Sequence, residues 1–417
     1  MHSSNLISLA IPMFFVLIIF EYCYGMLSGK NTYRINDAIS SISLGLISRL
    51  SPILHLGFKG AVFSYTANTL NLKLLPIESW ITWVIAFILY DLIYYWMHRK
   101  HHEIKLLWAT HVVHHQSEDF NLSTALRQTG TGFLWKWIFF IPMLVIGIPP
   151  EAFITVAALN LIYQFWVHTE HIGNLKLLEM IFVTPSNHRV HHAQNKEYID
   201  ANYGGVFIVW DRIFGTFIEE NAETKIIYGT VEPLKSWNPL WANLEIFFQM
   251  IRDTIYTKTI RDKLRIWYSN TKWRPQDVAL RFPEKLNDLK QFEKYDPALS
   301  TYNKTFSLFQ FLSINLIFLS ILLTLSSQAY EETIFFSIII IASTTITTIL
   351  LENIKGYYLI EMSRSIIILL VVFLTDLINQ DLITTQLVIL HAVVNILLIS
   401  VTLSTKRNSF LFKPHQP

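Results

Sequence analysis

The sequence predicts an all-α integral membrane protein, a multi-span helical bundle whose cytosolic-face helical cap carries a histidine-rich di-metal site. Three observations predict it. Of 417 residues, 52% are hydrophobic and 14% aromatic, a balance typical of chains with several spans. Apolar runs of spanning length recur along the chain. Eight histidines fall into three clusters: His98 and His102; His111, His114 and His115; His188, His191 and His192. Spacings of three and four place side chains on one helix face, and the third cluster repeats the second. The net charge of +2 gives no field that implies nucleic acid. The lone cysteine, Cys23, excludes an internal disulfide framework and a thiolate metal site, so any metal sits on nitrogen and oxygen.

Residues 6–20 are an apolar run with no Lys or Arg before it, which reads as an uncleaved first span rather than a secretory signal. Residues 39–65 are interrupted by Arg49, Pro52, His55 and Lys59. They form either a span or a kinked pair of interfacial helices. Residues 79–97 are a strong span. Asp91 inside it needs a partner at membrane depth, either a ligand imidazole or a Ser or Tyr. Residues 98–133 leave the membrane with the first two clusters. Apolar stretches 133–148 and 152–168 meet at Gly147-Ile148-Pro149-Pro150, a turn signal; this hairpin either crosses and returns or dips part-way, and either form brings His168 back to the side where His98 leaves.

The polar region 169–305 holds the third cluster. Within it, residues 205–217 are apolar and too short to span, so they lie at the interface or cap the site. Four apolar runs follow at 306–326, 333–351, 365–378 and 384–404. The expected division is 1–78, N-terminal membrane segments; 79–235, the catalytic domain with the histidine boxes; 236–305, a polar cytosolic-side linker or cap; and 306–417, a four-span region. Lys30, Arg34, Lys355, Arg364, Lys406 and Arg407 fall on the histidine side and Glu331, Glu332 and Asp381 opposite. This puts the histidine face in the cytoplasm, with Lys73 as the exception. Nine crossings result, with the N-terminus outside.

Neutral imidazole binds iron, zinc, copper and nickel. A mononuclear catalytic site takes three protein ligands, so eight histidines point to two metals. Such metals bind O2, polarise a carbonyl or activate water. A site at the membrane face favours a lipid substrate drawn from the bilayer. The isolated His2, His55, His391 and His415 read as interfacial polar residues. The non-enzyme alternative is a metal transporter, which places its ligands near the midplane, whereas most of these lie beyond span ends. A bis-histidine haem carrier needs only two axial ligands.

The boxes H-x3-H, H-x2-H-H and H-x2-H-H resemble those of the fatty acid hydroxylase / sterol desaturase superfamily of membrane di-iron oxygenases. Longer strings narrow the resemblance to its alkylglycerol monooxygenase family. They are Tyr-Tyr-Trp-Met-His-Arg-Lys-His-His-Glu (94–103), Ser-Glu-Asp-Phe-Asn-Leu-Ser-Thr-Ala-Leu-Arg-Gln (117–128), Gln-Phe-Trp-Val-His-Thr-Glu (164–170), Thr-Pro-Ser-Asn-His-Arg-Val-His-His (184–192) and the stretch 202–217. The resemblance covers residues 30–235, and the tail by layout only. It implies the eight box histidines as iron ligands. His168 sits where related hydroxylases place further ligands.

Glu103 takes a functional role on the same ground, orienting an imidazole or delivering a proton; the plain alternative is a solvated charge at a helix end. His101 is off the face of His98 and His102 and reads as a bystander. His171 remains open. Asp211 and Arg212 are a pair holding the cap closed or a charged turn. The resemblance further implies two non-haem irons, O2 as co-substrate, an O-alkylglycerol substrate and tetrahydrobiopterin as reductant, with an electron-donor protein if the pterin is not. The products are a fatty aldehyde and a glycerol derivative. The compartment is the endoplasmic reticulum membrane for a eukaryotic chain and the inner membrane for a bacterial one. Superfamily members also act on sterols, fatty acyl chains and carotenoids, which keeps those substrates as the alternative.

Overall fold

The computed structural model describes residues 5–54, 59–375 and 378–411, and His2, His55 and His415 lie outside them. Among the described residues the chain is helical, with three isolated bridges and no strand. It divides into two compact units, one reaching to Tyr295 and the other from Asp296 onward with residues 237–239.

The first unit opens with α1 (Asn5–Leu27) and α2 (Ile35–Ile53). α3 (Trp80–Glu103) follows, then the kinked hairpin that ends in α4 (Pro150–Trp166). The hairpin turns at Gly147, whose φ of +117° ends the preceding helix in the left-handed region that favours glycine. Pro150 starts α4 at a position where its missing N–H costs nothing. Met143, Leu144, Phe153 and Val156 pack against Ala86 and Met97 of α3 as one apolar core. Phe14 of α1 stacks on Phe165 of α4, ring centroids 4.1 Å apart. The short α5 (Pro185–His191) and α6 (Pro239–Tyr256) complete the parts that frame the histidines. Met250 of α6 packs with Ala109 and Ile266, and residues 240–268 are built into this unit.

The second unit is α7 (Thr301–Thr324), α8 (Tyr330–Leu351), α9 (Tyr357–Leu374) and α10 (Ile383–Leu411). Its interior carries a polar network. Arg364 donates to Glu361, to Ser343 Oγ at 2.8 Å and to His391 Nε2 at 2.9 Å. His391, expected as an interfacial residue, is instead buried there. A charge at membrane depth is stable only when paired inside the bundle.

Among the described residues six helices are long and apolar enough to cross a membrane, two in the first unit and four in the second. The chain is a multi-pass membrane protein by that measure, with six candidate crossings where the sequence predicts nine. α2 buries Asp37, Ser40, Ser41 and Ser43 against protein. The hairpin is a six-residue helix (Ile141–Ile146) followed by the 17-residue α4.

Candidate metal centre

α3 runs from its apolar stretch directly into His98 and His102, one turn apart at its C-terminal end. The chain turns at Ile104, pairs there with Asn270, and passes through the short helix Lys105–Ala109 into a second, Val112–His115. His168 stands just past the end of α4. α5 presents His188 and His191, with His192 closing it. Its start is fixed locally: Thr184 N donates to Asn187 Oδ1 at 3.1 Å, and Glu179 accepts from the hydroxyls of Thr184 and Ser186.

These residues converge as two groups. His98, His102, His111, His115 and His191 form one, and His114, His168, His188 and His192 the other; within each, one ring nitrogen per residue lies within 4.8 Å of all the rest. The boxes do not map one to one onto the groups. Adjacent residues on a helix diverge by about 100°. His114 and His115 therefore part company, as do His191 and His192, and each pair feeds both groups.

In four of the nine histidines the outer ring nitrogen is tied down. Nδ1–H donates to a backbone carbonyl in His98 (Tyr203, 2.9 Å), His114 (Arg127, 3.1 Å), His168 (Gln164, 2.8 Å) and His191 (Ala201, 2.9 Å). A carbonyl only accepts, so the proton sits on Nδ1 and Nε2 offers a lone pair. His114 and His168, both in this tautomer, face each other Nε2 to Nε2 at 3.4 Å. His98 and His111 do so at 2.9 Å, and His188 and His168 at 3.0 Å. Nε2 of His102 and of His191, and Nδ1 of His188, have no hydrogen-bond partner among the described residues.

Lone pairs aimed at one another repel unless a cation lies among them. A metal bonded to nitrogen at about 2.0–2.1 Å sets neighbouring donors about 2.9–3.4 Å apart. The residues fit a pair of metal ions. Burial, with the neighbouring imidazoles, keeps His111, His114, His115, His188 and His192 well below the ordinary imidazole range. Burial pushes His168 down to about 3 and His191 to about 4. Neutral imidazole is the form that binds metal.

Arg127, which sequence reasoning missed, holds this arrangement from outside. It is buried, donates Nε–H to the Val113 carbonyl at 2.8 Å, and reaches Ser40 and Ser41 of α2. Its own carbonyl receives His114. A buried cation beside two helix hydroxyls has no signature in a pattern of single residues.

Glu103 accepts from Arg99 Nε at 2.7 Å and Lys100 Nζ at 2.5 Å, and no imidazole is among its partners. With Arg99, Asp200 and Tyr203 it lines a cavity of about 400 Å³. Asp91 meets neither an imidazole nor a Ser or Tyr. Fully buried, it accepts from Val206 N and Phe207 N at 2.8 and 2.9 Å, from Asn160 Nδ2 at 2.7 Å and from Trp210 Nε1 at 3.0 Å. It ties the aromatic segment 205–217 to α3, close to the Tyr203 carbonyl that orients His98. Asp211 and Arg212 are not a pair: Asp211 accepts from Tyr203 N and Gly204 N, while Arg212 donates to the Glu179 carbonyl and lies over Phe217. His101 turns its Nδ1 to the Met97 carbonyl, and His171 lies edge-on to Tyr24; neither joins a group.

The fatty acid hydroxylase family model matches residues 83–216, the stretch that carries both groups. Fold, histidines and this match define a membrane-bound, lipid-acting monooxygenase, an oxidoreductase. The chain is 39% identical to alkylglycerol monooxygenase of Xenopus tropicalis over 301 residues, 72% of this chain and 67% of that one. It is 38% identical to the Homo sapiens alkylglycerol monooxygenase, covering 72% and 68%, and 35% identical to that of Danio rerio, covering 87% and 81%. The chain belongs to the alkylglycerol monooxygenase family. No solved structure matches it.

Proposed function

We propose that the nine histidines hold two non-haem iron ions and that the chain hydroxylates the ether-linked carbon of an O-alkylglycerol, the class its relatives are named for. The observation that carries this reading is the pair of converging nitrogen groups, each fixed from behind by backbone carbonyls. When bound, a pair of iron ions supplies activation of O2 for insertion into a C–H bond. One oxygen atom enters that bond, and the other leaves as water with two electrons and two protons from the reductant. The product is a hemiacetal, which collapses to a fatty aldehyde and a free glycerol hydroxyl. Tetrahydrobiopterin is the proposed reductant, passing to its dihydro form; an electron-donor protein is the alternative source.

The residues of this chain have distinct tasks. The carbonyls of Tyr203, Arg127, Gln164 and Ala201 fix four imidazoles in one tautomer and orientation. The segment 205–217 is held to α3 by Asp91, next to the Tyr203 carbonyl that orients His98. Glu103 is proposed as the functional carboxylate at the edge of the centre, in the cavity it shares with Tyr203, holding Arg99 and Lys100 in place. The histidine face is assigned to the cytoplasm, and a eukaryotic chain to the endoplasmic reticulum membrane.

The test is product analysis with an alkylglycerol labelled in its alkyl chain, in membranes bearing wild type or His114→Ala, with tetrahydrobiopterin and O2. Labelled fatty aldehyde from wild type alone is the expected result. Iron-replete protein giving no aldehyde would remove the ether substrate.

A further inference from the structure

A second cavity, of about 420 Å³, opens directly on the histidines. This is within the range of small-molecule sites. One wall is His102, His115, His191 and His192. The unpartnered Nε2 of His191, a residue 6% exposed, belongs to that wall. Trp108 forms part of the lining, its ring centroid 5.0 Å from that of His102 and 5.6 Å from that of His115. The lining also carries Glu232, Glu245 and Gln249.

Charge in this lining is unevenly satisfied. Lys105 donates Nζ to the Trp273 carbonyl at 2.7 Å, Lys272 pairs with Asp200 at 2.7 Å, and Glu284 receives Arg274 at 3.4 Å. Glu232 has the Gln249 amide at 3.0 Å. Glu245 has no hydrogen-bond or ion-pair partner among the described residues. Burial, and then Glu232, push its carboxyl up to about 7. A carboxylate in that state gains from a ligand that brings hydrogen-bond donors. Apart from His102, the lining comes from segments outside the candidate spans. The cavity is therefore placed for a water-soluble ligand rather than for a hydrocarbon chain.

We infer that this cavity seats the reductant, a planar nitrogen-rich ring whose face lies on Trp108 and whose N–H edge is read by Glu245 and Glu232 beside the histidines. The ring is uncharged or cationic, because this part of the lining is acidic. Trp108 supplies an aromatic face for a flat ring, and two neighbouring carboxylates match adjacent N–H donors. The inference rests on the reading of the protein as an oxygenase supplied with two electrons by a small pterin.

The test uses full-length protein in detergent. Biopterin, which is fluorescent, is titrated into metal-free wild type, Glu245→Gln and Glu232→Gln and followed by anisotropy. In parallel, KM for tetrahydrobiopterin and for alkylglycerol is measured on the iron-loaded proteins. Removing one charged acceptor is expected to weaken biopterin binding by about tenfold or more, to raise the pterin KM alike, and to leave iron content and alkylglycerol KM unchanged. Glu245→Asp is expected to recover part of the loss. A rise in alkylglycerol KM with the pterin KM unmoved would give the cavity to the lipid and overturn the inference, as would unchanged biopterin binding in both glutamine variants. Wild type that binds biopterin but releases no aldehyde would cost the ether substrate and leave the site standing.

Discussion

His114 turns one nitrogen to the Arg127 carbonyl and the other toward His168, so truncating it removes a donor and leaves a buried gap. His114→Ala is expected to lower iron affinity by about 10–100-fold, read by metal analysis of the purified protein. His171 belongs to neither group, and His171→Ala should leave iron content and turnover within about twofold of wild type. Glu103 sits in two ion pairs at the end of α3. Glu103→Gln keeps its shape and loses its charge. The expected outcome is retained iron with turnover lower by about a hundredfold. Full turnover in that variant would return Glu103 to the role of a helix-end charge. These residues were legible as types and spacings. What each imidazole does with its second nitrogen was not, because the partners are backbone carbonyls of Tyr203, Gln164 and Ala201, and any residue supplies a carbonyl.

At the level of elements, the joint between α3 and the segment 205–217 stands next to the Tyr203 carbonyl that orients His98. Asp91 offers two oxygens to four donors there. Gly205 approaches so closely that a Cβ would stand 2.8 Å from Asp91 Oδ1 and 2.9 Å from Tyr94 Cδ1. Asp91→Asn would bring an NH2 group against N–H donors. It is expected to cost on the order of 3 kcal/mol, seen as a lower melting temperature with weaker iron retention. The sequence marks Asp91 as a carboxylate too costly to stand alone, yet hides its partners, two of which are main-chain amides 115 and 116 positions away. Helical spacing likewise announced the histidine boxes but merged each into one face. The divergence of adjacent residues, with His111 ahead of the short helix Val112–His115, is what divides them.

For the whole molecule, hydropathy picked out α1, α3 and the four helices of the second unit, all of spanning length. It named more crossings than these because a window average registers apolar content and not polar seams or the length of single helices: α2 buries Asp37, Ser40, Ser41 and Ser43, and the hairpin is a six-residue helix followed by the 17-residue α4. The buried Arg364–Glu361–His391 network was out of reach for the same reason: a window average sees a nearly apolar helix, whereas the pairing joins α9 to α10. Orientation is checkable directly. Lys285 is exposed in the polar part of the first unit. With Cys23 replaced by Ser, a cysteine introduced by Lys285→Cys is expected to react with a membrane-impermeant maleimide from the cytoplasmic side alone. Labelling from the opposite side would invert the assigned topology.

The divided His114–His115 and His191–His192 pairs have a consequence for how the centre loads. An ion held by one group clamps two dipeptides whose other halves belong to its neighbour, so the second ion meets donors already in place and loses less freedom in binding. Titration of metal-free protein with ferrous ion is then expected to be sigmoidal, with a Hill coefficient above one. Half-loaded molecules would be scarce at every point of the curve.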